Sequence, residues 1–223
     1  MRHYLLIYLA FLCSSIAQES QDSNLLDPIT ITATRFIESI SDVPNSVEII
    51  EEGEILEEMP RGFPSVFSSS PAVQVQKTAN GKGSPFIRGF TGFRNLLLID
   101  GIRLNNAAFR EGPNQYWGTV DPLIASRIEL IKGQGSVLYG SDAIGGTVNI
   151  ITKNASPLSY EENKSFAEGQ LIYRGSTAEQ SHTGRVQGSV GVGQKTGVIM
   201  GYTGTVSYTH LRAHETKANL GWR

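Results

Sequence analysis

Residues 167–208 alternate with a period of two. Ala167, Gly169, Leu171 and Tyr173 share one face of an extended chain, with Glu168, Gln170 and Arg174 on the other. Val186, Gly188, Val190 and Val192 oppose Arg185, Gln187 and Ser189 in the same way. Val198, Met200, Tyr202, Val206 and Tyr208 oppose Thr203, Thr205 and Ser207. Successive side chains of a strand point to opposite faces, so this is the pattern of three strands of ~10 residues, each apolar on one side and polar on the other. Two architectures accept it. A soluble antiparallel sheet turns the apolar face inward, whereas an outer-membrane barrel wall turns it outward to lipid. The connections favour the barrel, because residues 175–184 read as a long link and residues 193–197 as a short one.

The amino terminus supports export. A basic start (Arg2, His3) precedes ten uncharged residues, 4–13, and then small residues ending at Ala17. This is the layout of a secretory signal over residues 1–17, cleaved after Ala17, and it is too short to cross a bilayer as a helix. Cleavage removes Cys13, the only cysteine, so the exported chain has no disulfide. A net charge of −2 offers no basic surface for nucleic acid.

Residues 18–46 read as a flexible leader containing one extended stretch, Ile29, Thr30, Ile31, Thr32 and Ala33, just after Pro28. Proline cannot donate to a ladder, so this stretch suits either an edge strand of its own domain or a strand added to a partner's sheet. Residues 47–153 carry mixed α+β signals. Strands are expected at 47–50, 73–76, 86–88, 96–99, 102–104, 128–131 and 147–152, and short helical turns at 53–59 and 63–70. Asp100-Gly101 between two apolar runs predicts a hairpin with a primed turn. Residues 77–84 and 105–117 read as loops, residues 154–165 as a polar linker, and residues 166–209 as the three alternating strands. The alternation fails in residues 210–223, which read as an anomalous tail outside the native pattern, and residues 207–216 resemble translated sequencing-adapter sequence.

No catalytic arrangement emerges. The run GSVGVGQKT at 188–196 has Gln194 where a phosphate loop needs lysine, and it lies in a strand pair. Gly81-Lys82-Gly83 lacks the rest of a dinucleotide fingerprint. A nucleophile turn G-x-S-x-G is absent, and His210 with His214 lacks a third ligand. The expectation is a non-enzyme with no cofactor and no metal site.

Four segments in order carry a family resemblance: Ile87-Arg88-Gly89; residues 96–103 (LLLIDGIR); residues 126–133 (SRIELIKG); and residues 137–153 (VLYGSDAIGGTVNIITK). Together they resemble the plug domain of TonB-dependent outer-membrane receptors, with Lys132 where arginine is commoner. The resemblance implies an α+β plug domain (a small mixed sheet with short helices) followed by the start of an antiparallel transmembrane β-barrel. It implies energised import of a ferric siderophore, haem or cobalamin-like ligand across the outer membrane of a Gram-negative bacterium. Ile29, Thr30, Ile31, Thr32 and Ala33 would then be the TonB box, which pairs with TonB by strand addition. Substrate would meet the plug loops at Thr78, Ala79, Asn80, Gly81, Lys82 and Gly83, and at Asn105, Asn106, Arg110, Asn114, Tyr116 and Trp117. Arg88, Arg127 and Glu129 would bond plug to barrel wall. Such barrels have 22 strands, many more than the three legible here, so the chain reads as an amino-terminal fragment. The competing reading is a free-standing periplasmic binding or signalling module on a plug-like fold.

Overall fold

The computed structural model describes residues 29–30, 32, 34–79, 82–104, 115–154, 166–177, 181–192 and 196–207. The proposed signal, residues 18–28, 31 and 33 of the leader, most of the linker and the tail lie outside them.

A five-stranded mixed sheet organises the first unit. Its strands are β3 (Ser46–Glu51), β6 (Asn95–Ile99), β7 (Ile102–Arg103), β8 (Ala125–Lys132) and β9 (Gly146–Thr152), in the order β3-β8-β9-β6-β7. The β9–β6 contact is parallel and the other three are antiparallel. Alternation sorts the faces. Ile50, Ile128, Leu130, Val148 and Ile150 enter one core, together with Ile55 of helix α1 (Glu52–Glu58) and Phe63, Val66 and Phe67 of the 3-10 turn Phe63–Ser68. Strand β6 is buried on both sides. Leu97 joins that core, while Leu96 and Leu98 meet Ala143 on the far face, as a central strand does.

The local expectations hold where chain geometry alone decides them. Asp100 and Gly101 have φ of 49° and 78°, the pair of positive values that a primed turn needs. The Asp100 carboxylate then accepts from the Thr152 N–H at 2.9 Å and the Thr152 hydroxyl at 2.7 Å. Gly146 starts β9 under close constraint, because a Cβ there would lie 2.8 Å from both the Ile131 carbonyl oxygen and Ile87 Cγ2. Gly146→Ala is expected to destabilise the sheet by about 1–3 kcal/mol through overpacking. Native-state hydrogen exchange of β8 and β9 checks this: unchanged protection would refute it.

Two loop expectations change. Strands β4 (Val73–Ala79) and β5 (Lys82–Ile87) pair across most of the segment read as a loop at 77–84. Trp117, expected at the substrate face, is 1% exposed. It packs at 6.0 Å and 6.4 Å between ring centroids on Phe63 and Phe67, because indole burial against two rings outweighs exposure.

Strands β10 (Phe166–Ser176), β11 (Ser181–Val192) and β12 (Thr196–Ser207) form a second, antiparallel sheet. Its polarity is the reverse of a soluble sheet. Leu171, Tyr173, Met200 and Tyr202 are 78%, 68%, 74% and 77% exposed, whereas Ser181, Arg185 and Ser189 are buried against the first unit. Both connections are short: β10 ends at Ser176 and β11 begins at Ser181, so the long link expected over 175–184 is absorbed by strand. Thr183 belongs to that pairing, its hydroxyl 3.1 Å from the Thr205 hydroxyl.

Candidate functional site

The face of β8 and β9 turned away from the core carries Arg127, Glu129, Thr147 and Asn149, with Glu129 paired across the ladder with Asn149. Glu129 is fully buried, although a carboxylate left dry and unpartnered would be costly. The amino-terminal segment covers it. Strand β1 (Ile29–Thr30) pairs antiparallel with β2 (Glu38–Ser39), and this hairpin lays Thr30 and Thr32 on the sheet.

Three side chains, Glu129, Asn149 and Tyr139, hold it there. Glu129 Oε2 accepts from the Thr30 hydroxyl at 2.9 Å and from the Thr32 N–H at 2.8 Å. Its other oxygen lies 2.9 Å from Arg127 Nη2. The Asn149 amide donates to the Thr32 hydroxyl at 3.0 Å, and the Tyr139 hydroxyl donates to the Thr32 carbonyl at 2.7 Å. Burial pushes the Tyr139 phenol above its ordinary range, with Arg35, 4.7 Å over the ring, opposing. The phenol therefore keeps its proton, and this bond, at neutral pH. Thr30 and Thr32 are 0% and 1% exposed. Both backbone groups of Thr32 are thus taken by plug side chains, and Thr30 is already in a strand pair. A segment docked in this way is not free to add to a partner's sheet.

The seam between the two units is polar. Asp121 caps the 3-10 turn Pro122–Ile124 by accepting from the Leu123 N–H. Its second oxygen takes Arg185 Nη1 at 2.9 Å and the Thr203 hydroxyl. Lys153 bridges Glu52 at 2.7 Å and Gln170 at 3.3 Å. Arg185→Ala is expected to weaken this seam by on the order of 1–3 kcal/mol, since Asp121 keeps partial access to water. Limited proteolysis of the linker at 154–165 should accelerate; an unchanged rate would count against the clamp.

The sequence-based site residues distribute as follows. Thr30 and Thr32 are docked on Glu129; Ile31 and Ala33 lie outside the described residues, as do Asn80, Gly81, Asn105, Asn106, Arg110 and Asn114. Thr78, Ala79, Lys82 and Gly83 belong to the β4–β5 hairpin, and Tyr116 is exposed on a 3-10 turn. Arg88 lies against Gly133, where a Cβ would meet its Nη1 at 2.9 Å. Arg127 and Glu129, expected at the wall, form an ion pair beneath the amino-terminal segment. Among the described residues, contacts with the three wall strands come from Asp121, Arg185 and Lys153. Tyr139 and Asn149 were not anticipated as site residues; for Asn149 the visible signal was a polar residue at an alternate position of an otherwise apolar strand, and Tyr139, on the short helix Ser136–Tyr139, offered none.

Residues 39–147 match the family model described as the TonB-dependent receptor plug domain. The chain carries the plug of a TonB-dependent receptor. It is 37% identical over 142 residues to the vitamin B12 transporter BtuB of Vibrio vulnificus, covering 62% of this chain and 22% of that protein. It is 35% identical over 150 residues to the iron-regulated outer membrane virulence protein of Vibrio cholerae, covering 65% and 22%. The alcaligin outer membrane receptor FauA of Bordetella pertussis shares the fold, with TM-score 0.53 at 20% identity over 78% of this chain and 29% of that one. The chain therefore spans under a third of the length of each of these proteins. A plug followed by barrel-wall strands, in a family of receptors and transporters and not of enzymes, places the protein in the outer membrane of a Gram-negative bacterium.

Proposed function

We propose that this plug receptor imports a scarce chelate, of the ferric siderophore, haem or cobalamin class, using energy delivered by TonB at residues 29–33. The occupied backbone of Thr32 carries this reading. A strand-adding partner needs those peptide groups, so import requires that the segment leave Glu129, and binding outside must be coupled to that release. The relatives support the cargo class: one is named a vitamin B12 transporter and another an iron-regulated outer membrane protein. A free-standing soluble module is disfavoured by the wall, because it would not turn Leu171, Tyr173, Met200 and Tyr202 toward water. In cells carrying this receptor, uptake of a radiolabelled chelate should stop when a protonophore collapses the inner-membrane gradient, while binding at the surface persists. Uptake that survives the protonophore would refute TonB-driven import.

A further inference from the structure

The outward face of the wall changes character toward the end where β10 passes into β11. Strand pairing sets the side chains of this face in rows. Leu171, Val186 and Tyr202 form one row, then Tyr173, Gly184 and Gly204, and last Gly175, His182 and Val206. Both tyrosines lean toward the strand end, each over a glycine two residues further along its own strand. A Cβ on Gly175 would lie 3.5 Å from the Tyr173 hydroxyl oxygen, and one on Gly204 would lie 3.5 Å from Tyr202 Cε1. Between them, among the described residues, nothing comes within 4 Å of a Cβ built on Gly184. Strands β10 and β12 are two strand spacings apart, about 9–10 Å, so the two rings flank an open slot floored by Gly184.

His182 stands at the end of this slot. The Tyr173 hydroxyl lies 2.7 Å from its Nδ1, and the two rings are stacked with planes 23° apart. With the hydroxyl donating to Nδ1, the neutral imidazole carries its proton on Nε2, a donor placed at the mouth of the slot. We propose that the slot holds one acyl chain of an outer-leaflet glycolipid whose headgroup phosphate accepts from His182. A lipid is the occupant because the apolar face around the slot is the one turned to the membrane. Tyrosine suits such a boundary, since its ring packs on hydrocarbon while its hydroxyl reaches polar groups. Phosphate is the fitting acceptor, because a hydrogen bond to a charged oxygen is shorter and stronger than a neutral one. The leaflet follows from the plug. Lys82, on the β4–β5 hairpin expected to meet substrate, lines one cavity with Arg174, Ser181 and Thr205 at this end of the wall. This end therefore faces outward, where the lipid of a Gram-negative outer membrane is a phosphorylated glycolipid. The choice of leaflet rests on the import reading, whereas the slot rests on geometry alone.

The test counts lipids by native mass spectrometry on receptor purified from outer membranes in neutral detergent. The same protein is then titrated with lipid A, dephosphorylated lipid A and phosphatidylglycerol. Wild type should retain one more lipid A than Gly184→Phe, whose ring enters open space and whose residue type suits a strand. His182→Phe should weaken lipid A at least tenfold and abolish the preference for its phosphorylated form, while His182→Gln keeps part of that preference. Equal retention by wild type, Gly184→Phe and His182→Phe would overturn the slot. Equal affinity of wild type for both forms of lipid A would overturn the phosphate contact, and preference for phosphatidylglycerol would overturn the leaflet. Protonophore-sensitive uptake tests import separately, so loss of either result leaves the other standing.

Discussion

Replacing Glu129 with alanine is expected to free residues 29–33 in the absence of any ligand. Two hydrogen bonds to the Glu129 carboxylate hold Thr30 and Thr32. Bonds to a charged group contribute about 1.5–3 kcal/mol each, so the docked state loses at most ~3–6 kcal/mol and the docking equilibrium shifts by roughly 10²–10⁴-fold. The fold should tolerate the change, because Glu129 lies on the sheet face opposite Ile128 and Leu130, and Arg127, partly exposed, reaches water once its partner is gone. The measurement is capture of the detergent-solubilised receptor on immobilised TonB without substrate: wild type should be poorly retained and Glu129→Ala strongly retained. Tyr139→Phe removes one neutral donor to Thr32, about 1 kcal/mol, and should raise capture only about fivefold. Equal capture of wild type and Glu129→Ala, with β8 and β9 still protected in hydrogen exchange, would rule out the latch.

The contrast between what could and could not be read in advance has a physical cause. The strands around Leu97, Ile128 and Ile150 and the Asp100-Gly101 turn were legible because period-two burial and positive φ are properties of a few neighbouring residues. The wall was legible for the same reason, although its first link is shorter than the pattern suggested. Trp117 was misjudged because its burial depends on Phe63 and Phe67, about fifty residues earlier in the chain. Residues 181–184 looked like a loop because the inward face of a wall packed on a plug is as polar as a loop. Glu129 is the most instructive case. Alternation put it on the second face of β8, but nothing near it in sequence names Thr30 and Thr32, 99 and 97 residues away, as what covers that face. Local pattern fixes which face a side chain takes; what lies against that face is set by long-range packing.

Ile31→Pro should produce the opposite defect to Glu129→Ala: docking kept and energised uptake abolished. Proline removes a backbone donor and fixes φ near −65°, and strand addition depends on main-chain hydrogen bonds along the added segment. The docking contacts, by comparison, belong to Thr30 and Thr32. Proline also biases the preceding residue toward extended backbone, which is the conformation Thr30 already has in β1. The variant should therefore leave surface binding of the chelate at wild-type level while its uptake falls to the level seen with a protonophore. Combined with Glu129→Ala it should remain poorly captured by TonB, since a freed segment that cannot pair gains nothing from release. Normal uptake by Ile31→Pro would refute residues 29–33 as the site of energy transfer. Strong capture of the double variant would show that TonB reads this segment through side chains and not through the ladder.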